Sequence, residues 1–116
     1  MGLARRERRG RRTDGSDDLF RAIADPSRRR ILTLLSKEEL PLRRIEESFA
    51  MSRTAVIKHL RVLKSCRLVR ARRQGRETIH RLNPLPLRAI RDWVSEFELL
   101  WDDRLQRLKG QVESEP

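Results

Sequence analysis

Aromatic side chains are scarce in this sequence. Its 116 residues include three phenylalanines, two tryptophans and no tyrosine, and hydrophobic residues make up 37% of the chain. Aromatic side chains bury large areas, so a single copy of this chain can build only a small core. Small domains often gain the missing stability by oligomerisation. The composition therefore favours one domain that assembles with another chain.

Cysteine is almost absent, and long apolar runs are missing. Cys66 is the single cysteine, so the chain cannot form an internal disulfide, and we expect a reducing compartment. No apolar run approaches the roughly 20 residues of a membrane-spanning helix, and no apolar segment follows the basic N-terminus as in a signal peptide. These absences predict a cytoplasmic protein without a membrane partner.

Patterns typical of enzymes are also missing. The five glycines are scattered and form no phosphate-binding loop. We find no nucleophile–base pair and no pair of carboxylates at catalytic spacing. The sequence predicts no enzymatic activity and no cofactor.

Positive charge is abundant and unevenly placed. The net charge is +11, and segment 52–81 holds ten basic residues against one acidic residue, Glu77. Such an excess favours a polyanionic partner. Residues 1–16 are rich in arginine and poor in apolar residues, which predicts a disordered arm; whether this arm contacts DNA stays open. We expect a folded domain over 17–109 and a flexible tail over 110–116.

The remaining pattern predicts a mainly α fold with a small β-hairpin. We expect four short helices, each of which begins at a capping residue or follows a helix breaker. The first begins at Ser16 or Asp17, the second runs from Asp25-Pro26 to about Ser36, the third covers 42–49 after the breaker Pro41, and the fourth covers 52–65 with Ser52 as its cap. Two β-prone runs follow, around Gln74-Gly75. A helix-turn-helix followed by a hairpin is a winged helix.

A fifth helix of about 25 residues is predicted after Asn83-Pro84. Its apolar residues recur every three or four positions, which gives a stripe longer than the preceding domain can cover. We interpret it as a homodimer interface shared with the first helix; the alternative is a helix lying wholly on its own core. The expected interface residues are Leu19, Phe20, Ile23, Ile90, Trp93, Val94, Phe97, Leu100, Trp101 and Leu105.

The order and spacing of these elements resemble the ArsR/SmtB family of bacterial winged-helix repressors. The resemblance covers about residues 17–109. It is carried by "LFRAIADPSRRRILTLL" as the first two helices, "MSRTAVIKHLRVL" as the recognition helix and "LVRARRQGRETIHRLNP" as the wing. It implies a homodimer joined through its first and last helices, which binds double-stranded operator DNA and is released from it by an inducer.

The resemblance also implies which residues contact DNA. Helix 52–65 would enter the major groove, and wing 69–82 would reach the minor groove or phosphates. The expected contacts are Ser52, Arg53, Thr54, Ile57, Lys58, Arg61, Arg72, Arg73, Gly75 and Arg76. Ile57 stands where many relatives carry a small polar residue. It either contacts thymine methyl groups in the groove or turns into the core.

The sequence departs from the metal-sensing members of that family. Its third helix, "LPLRRIEESF", contains no cysteine or histidine, and residues 84–111 contain no histidine. Zinc and arsenic sites require such ligands, so we expect no metal. A small-molecule or redox effector stays open; Cys66 is either a core residue or part of a redox sensor. The alternative function is a sequence-nonspecific, chromatin-like or RNA-binding winged-helix protein.

Overall fold

The computed structural model describes residues 16–114, so the predicted N-terminal arm lies outside the described residues except for Ser16, which begins the first helix. No described helix is long and apolar enough to cross a membrane. The elements, in chain order, are α1 (Ser16–Ala24), α2 (Pro26–Leu35), β1 (Leu40–Pro41), α3 (Leu42–Glu47), α4 (Arg53–Ser65), β2 (Val69–Gln74), β3 (Glu77–Leu82), a 3₁₀ turn (Leu85–Leu87), α5 (Arg88–Ser95) and α6 (Glu98–Ser114).

Two predicted helix caps are confirmed, and they fix where α2 and α4 begin. The Asp25 carboxylate accepts a hydrogen bond from the backbone N–H of Arg28 at 2.9 Å, with Pro26 at the first helical position. The Ser52 hydroxyl accepts from the backbone N–H of Ala55 at 3.1 Å. Each cap satisfies an N–H that the helix itself leaves without a partner.

The core lies between the helices and the sheet. Its fully buried side chains come from α2, α3, α4 and the start of the wing, and they are Ile31, Ile45, Val56, Leu60, Leu63, Leu68 and Val69. Leu19 belongs to the same core at 3% exposure. Its predicted place in a dimer interface is therefore wrong, because α1 turns this residue inward.

Two arginines of α2 close the end of α1. Arg28 donates from Nε to the carbonyl oxygen of Ala22 at 2.7 Å and from Nη2 to that of Arg21 at 3.1 Å. Arg29 donates from Nη1 to the carbonyl of Ile23 at 2.6 Å. The last carbonyls of a helix lack helical partners, so these guanidinium groups complete α1 and tie it to α2.

The wing contains a third strand that the sequence did not reveal. β1 pairs antiparallel with β3, matching Leu40 with His80 and Pro41 with Ile79, so the sheet order is β1-β3-β2. The sequence predicts a helix after Pro41 and no strand before it. Two residues are too short to carry an alternating pattern, and the pairing arises only because the folded hairpin offers a free edge.

The connections to the wing and from it depend on one strained residue. Arg67 follows α4 with φ at 64°, in the left-handed region that glycine adopts without strain. The Asn83 side chain donates from Nδ2 to the Arg67 carbonyl at 2.8 Å. Asn83 therefore stabilises this turn and does not cap the last helix, which begins with the 3₁₀ turn.

The long C-terminal helix is interrupted. α5 ends at Ser95, Glu96 and Phe97 form a turn, and α6 begins at Glu98. The turn is closed by 3₁₀-type bonds, from the N–H of Glu96 to the carbonyl of Trp93 and from the N–H of Phe97 to that of Val94. The prediction of one continuous helix is wrong here. α6 extends to Ser114, past the predicted domain end at residue 109.

His80 makes the stability of the fold dependent on pH. The side chain is buried on β3, and its Nδ1 has no hydrogen-bond partner among the described residues. Burial and the nearby Lys64 lower the pKa of this imidazole. The unfolded chain therefore takes up a proton near pH 6.5 that the folded chain refuses, so we expect the free energy of unfolding to fall as pH drops from 7 to 5.

Urea unfolding at several pH values tests this expectation, with His80→Leu as the comparison. The variant should lose much of the decline between pH 7 and 5. The depressed pKa values of the Asp25 and Glu39 carboxyls affect stability only at lower pH, because unfolded carboxyls titrate near 4. An unchanged slope in His80→Leu would assign the decline to another group.

Candidate nucleic-acid interface

Helix α4 separates a buried side from a charged side. Val56, Leu60 and Leu63 are fully buried, and their spacing of four and three residues places them on one side of the helix. The residues exposed to solvent include four that are expected to contact DNA, and they are Arg53, Thr54, Lys58 and Arg61. The helix therefore presents a cationic surface supported by the core behind it.

Ile57 lies beside this surface and is partly exposed. It is not among the apolar residues of the described chain that pack against the core. This placement favours the groove contact over rotation into the core, although the DNA contact itself remains a prediction.

We expect Ile57→Ser to reduce the preference for thymine while leaving thermal melting unchanged. A contact between an aliphatic side chain and the thymine C5-methyl group is apolar and is lost with either partner. The measurement is the affinity of the unmodified protein and of Ile57→Ser for two promoter duplexes, one with thymine and one with deoxyuridine in its place. A large fall in melting temperature in Ile57→Ser would instead show that the side chain supports the core.

The wing tip is a two-residue turn of Gly75 and Arg76. Gly75 has φ at 66°, a conformation that glycine adopts without strain. Arg73 and Arg76 are exposed at this tip. The hairpin thus holds two predicted DNA-contacting cations away from the core.

A cleft of about 240 Å³ lies between α4 and the wing. Its lining includes Arg53, Arg73 and Arg76, which the sequence had placed in the interface, and also Arg43 of α3. Charge counting missed Arg43 because its helix contains two acids, so segment 42–47 has no net charge. Folding, and not local composition, brings this fourth arginine to the site.

Arg72 does not face this cleft. Arg72 pairs with Ile79 across the hairpin and Arg73 pairs with Thr78, so strand alternation places the two arginines on opposite faces. Arg72 instead donates two hydrogen bonds to the Glu39 carboxylate, at 2.8 and 3.1 Å. This pair lowers the pKa of Glu39. In the free protein, Arg72, a predicted DNA contact, is therefore already paired with the Glu39 carboxylate.

A second exposed surface is apolar and belongs to the C-terminal helices. Trp93, Leu100, Trp101 and Leu105 are each about half exposed or more. Trp93 packs edge-to-face against Phe20 of α1, with ring centroids 5.7 Å apart, and the rings of Trp93 and Phe97 lie 5.3 Å apart. Ile23 and Ile90 are half-buried against the core. Apolar side chains of α1, α5 and the turn at Phe97 thus pack together, and exposed apolar residues continue along α6.

The histidines and the cysteine do not form a metal site. Within residues 16–114, no three histidine, cysteine, aspartate or glutamate side chains lie close enough to hold an ion. His59 lies 3.8 Å from the Asp25 carboxylate and 3.5 Å from a nitrogen of Arg28. Cys66 is half-buried against the core, and burial raises the pKa of its thiol. A raised pKa lowers the reactivity of a thiol at neutral pH.

Residues 25–71 match the model of the family described as "Bacterial regulatory protein, arsR family". The transcriptional repressor SdpR of Bacillus subtilis is 32% identical over 81 residues, which cover 70% of this chain and 90% of that protein. The transcriptional regulator Rv2034 of Mycobacterium tuberculosis is 33% identical over 99 residues, covering 85% of this chain and 90% of the relative. The chain belongs to the ArsR family.

The ArsR fold extends beyond the matched segment. The homodimeric winged helix-turn-helix DNA-binding domain of Mb0332 from Mycobacterium bovis superposes with a TM-score of 0.62 at 29% identity, covering 79% of this chain and 88% of that one. The coverage exceeds the helix-turn-helix. The chain is accordingly an ArsR-family transcriptional regulator with a winged helix-turn-helix domain that binds DNA.

Proposed function

We propose that this ArsR-family regulator acts in the cytoplasm as a homodimeric repressor that binds operator DNA in a sequence-specific manner. The observation that carries the proposal is the outward face of α4, where Thr54, Ile57 and Lys58 are accessible beside the cationic wing. A helix of this kind fits the major groove, where base edges are distinguishable. The similar protein SdpR, named a transcriptional repressor, supports repression as the outcome.

The apolar face of α1, α5 and α6 supports the homodimer. Three leucines and two tryptophans of α5 and α6 in this surface are about half exposed or more: Trp93, Leu100, Trp101, Leu105 and Leu108. An exposed apolar surface of this kind marks an interface in a soluble protein. A symmetric pair would present two recognition helices to major grooves about one helical turn, or roughly 34 Å, apart.

Binding titrations with three nucleic acids test the proposal. The full chain is titrated at physiological salt against the duplex upstream of its own gene, a random duplex of equal length, and RNA. We expect the promoter duplex to bind at least about 10³-fold more tightly than the random duplex. Equal affinity for all three would favour the nonspecific, chromatin-like or RNA-binding alternative.

A further inference from the structure

The cleft between α3, α4 and the wing has more positively charged than negatively charged residues in its lining. Arg43, Arg53, Arg73 and Arg76 line it, and Glu77 is the single acidic residue in the lining. Four arginines from α3, α4 and the wing therefore border one space of about 240 Å³. Like charges gathered in this way repel one another unless an anion lies between them.

Carboxylates position two of these arginines from the side. Arg43 donates from Nε to Glu77 Oε1 at 2.7 Å, and this contact raises the pKa of Arg43. Its two terminal nitrogens make no hydrogen bond within the described chain. Arg53 Nη1 lies 3.7 Å from Glu46 Oε2, and Glu46 is itself half-buried. These contacts orient both guanidinium groups and leave N–H donors on each that can bind an anion.

The remaining lining suits a phosphate group. Pro41 and Leu42 provide an apolar floor, and Thr78 brings a hydroxyl group. The lining also includes Arg53, the first residue of α4, where the helix dipole favours an anion. A guanidinium group presents paired donors that match phosphate oxygens.

We propose that this cleft binds one phosphate of the DNA backbone, held jointly by Arg43 of α3, Arg53 of α4 and Arg73 of the wing. The inference deepens the proposed function and rests on it. It adds Arg43 to the interface, and it makes the phosphate a bridge that fixes the wing relative to the recognition helix. Phosphate contacts of this kind position a protein on the duplex without reading its sequence.

Arg43→Gln tests the proposal, and Arg44→Gln is its matched control. Both arginines lie on α3, both are exposed, and each pairs with one glutamate, since Arg44 Nε lies 3.7 Å from Glu47 Oε2. Only Arg43 lines the cleft. We expect Arg43→Gln to weaken promoter-duplex binding about tenfold and to reduce the slope of log affinity against log salt by about 0.9 for each lost contact. Equal effects of the two substitutions would overturn the proposal.

A double-mutant cycle tests whether the arginines share one phosphate. Arg43→Gln and Arg73→Gln together should weaken binding by less than the product of their separate effects, because either change removes part of the same contact. Strict additivity would overturn the shared site. If Arg43→Gln lowers the melting temperature, Arg73→Gln at the solvent-exposed wing tip carries the test alone, with Arg81→Gln on the other face of the hairpin as its control.

The source of the phosphate is separated by competition. Sodium pyrophosphate is compared with sodium sulfate at equal ionic strength as a competitor of the promoter duplex. If pyrophosphate displaces the duplex more strongly than sulfate does, and Arg43→Gln abolishes this difference, the cleft also accepts free phosphate. Equal displacement by the two salts, with the Arg43→Gln defect retained, would support the DNA backbone alone. Failure of the proposed function gives a different result from failure of this inference, because the unmodified protein would then bind promoter and random duplexes equally.

Discussion

Leu105→Glu is expected to convert the protein to monomers and to weaken promoter binding by roughly 10² to 10⁴-fold. Leu105 is 61% exposed on α6. It follows Trp101 by four residues, about one helical turn, and so lies on the same side of the helix. A carboxylate buried there without a partner destabilises the dimer by several kcal/mol. Each monomer would then bind its half-site alone, without the effective concentration that linkage provides.

Analytical ultracentrifugation and a promoter titration measure the two consequences. Leu99→Glu is the matched control, because Leu99 is 84% exposed and lies about 200° around α6 from Trp101. It should leave both the mass and the affinity unchanged. Dimers that persist in Leu105→Glu, or monomers in both variants, would contradict the proposed interface.

Lys58→Glu is expected to weaken DNA binding by about 100-fold or more without affecting assembly. Lys58 lies on the solvent side of α4, within the half of the helix proposed to enter the groove, and forms no ion pair in the described structure. Reversing its charge replaces an attraction to phosphate with a repulsion in each subunit, so the dimer changes by about four charges. Both promoter and random duplexes should be affected, because phosphate contacts contribute to both.

Lys37→Glu provides the same change of charge outside the proposed interface. Lys37 is exposed just after α2. Its effect measures the general loss of attraction between the protein and DNA, which falls with salt. Equal weakening by the two substitutions would mean that net charge, and not the position of α4, governs binding.

Local chemistry made most of the fold predictable. The caps at Asp25 and Ser52 begin their helices because a side-chain oxygen satisfies a backbone N–H that has no partner within the helix. The buried stripe of α4 and the glycine turn of the wing are similarly local signals.

Features that depend on distant residues were not predictable. Strand β1 exists only as a partner of β3, and the turn at Glu96 and Phe97 interrupts a continuous apolar pattern. The sequence predicts DNA contacts at Arg73 and Arg76, but it could not show that Arg72 contacts Glu39 or that Arg43 lines the same cleft as Arg73 and Arg76. Charge along the chain finds a basic segment, whereas the face that each cation occupies depends on sheet register.

Arg28 has a consequence for the geometry of the assembled regulator. Its guanidinium group donates to two carbonyls of α1 and lies 3.5 Å from His59 of α4. One side chain on α2 thus contacts both α1, which borders the proposed subunit contact, and α4, which is proposed to enter the major groove. We expect these three helices to keep a fixed arrangement, so the distance between the two α4 helices of the proposed dimer would be set by how its C-terminal helices pack.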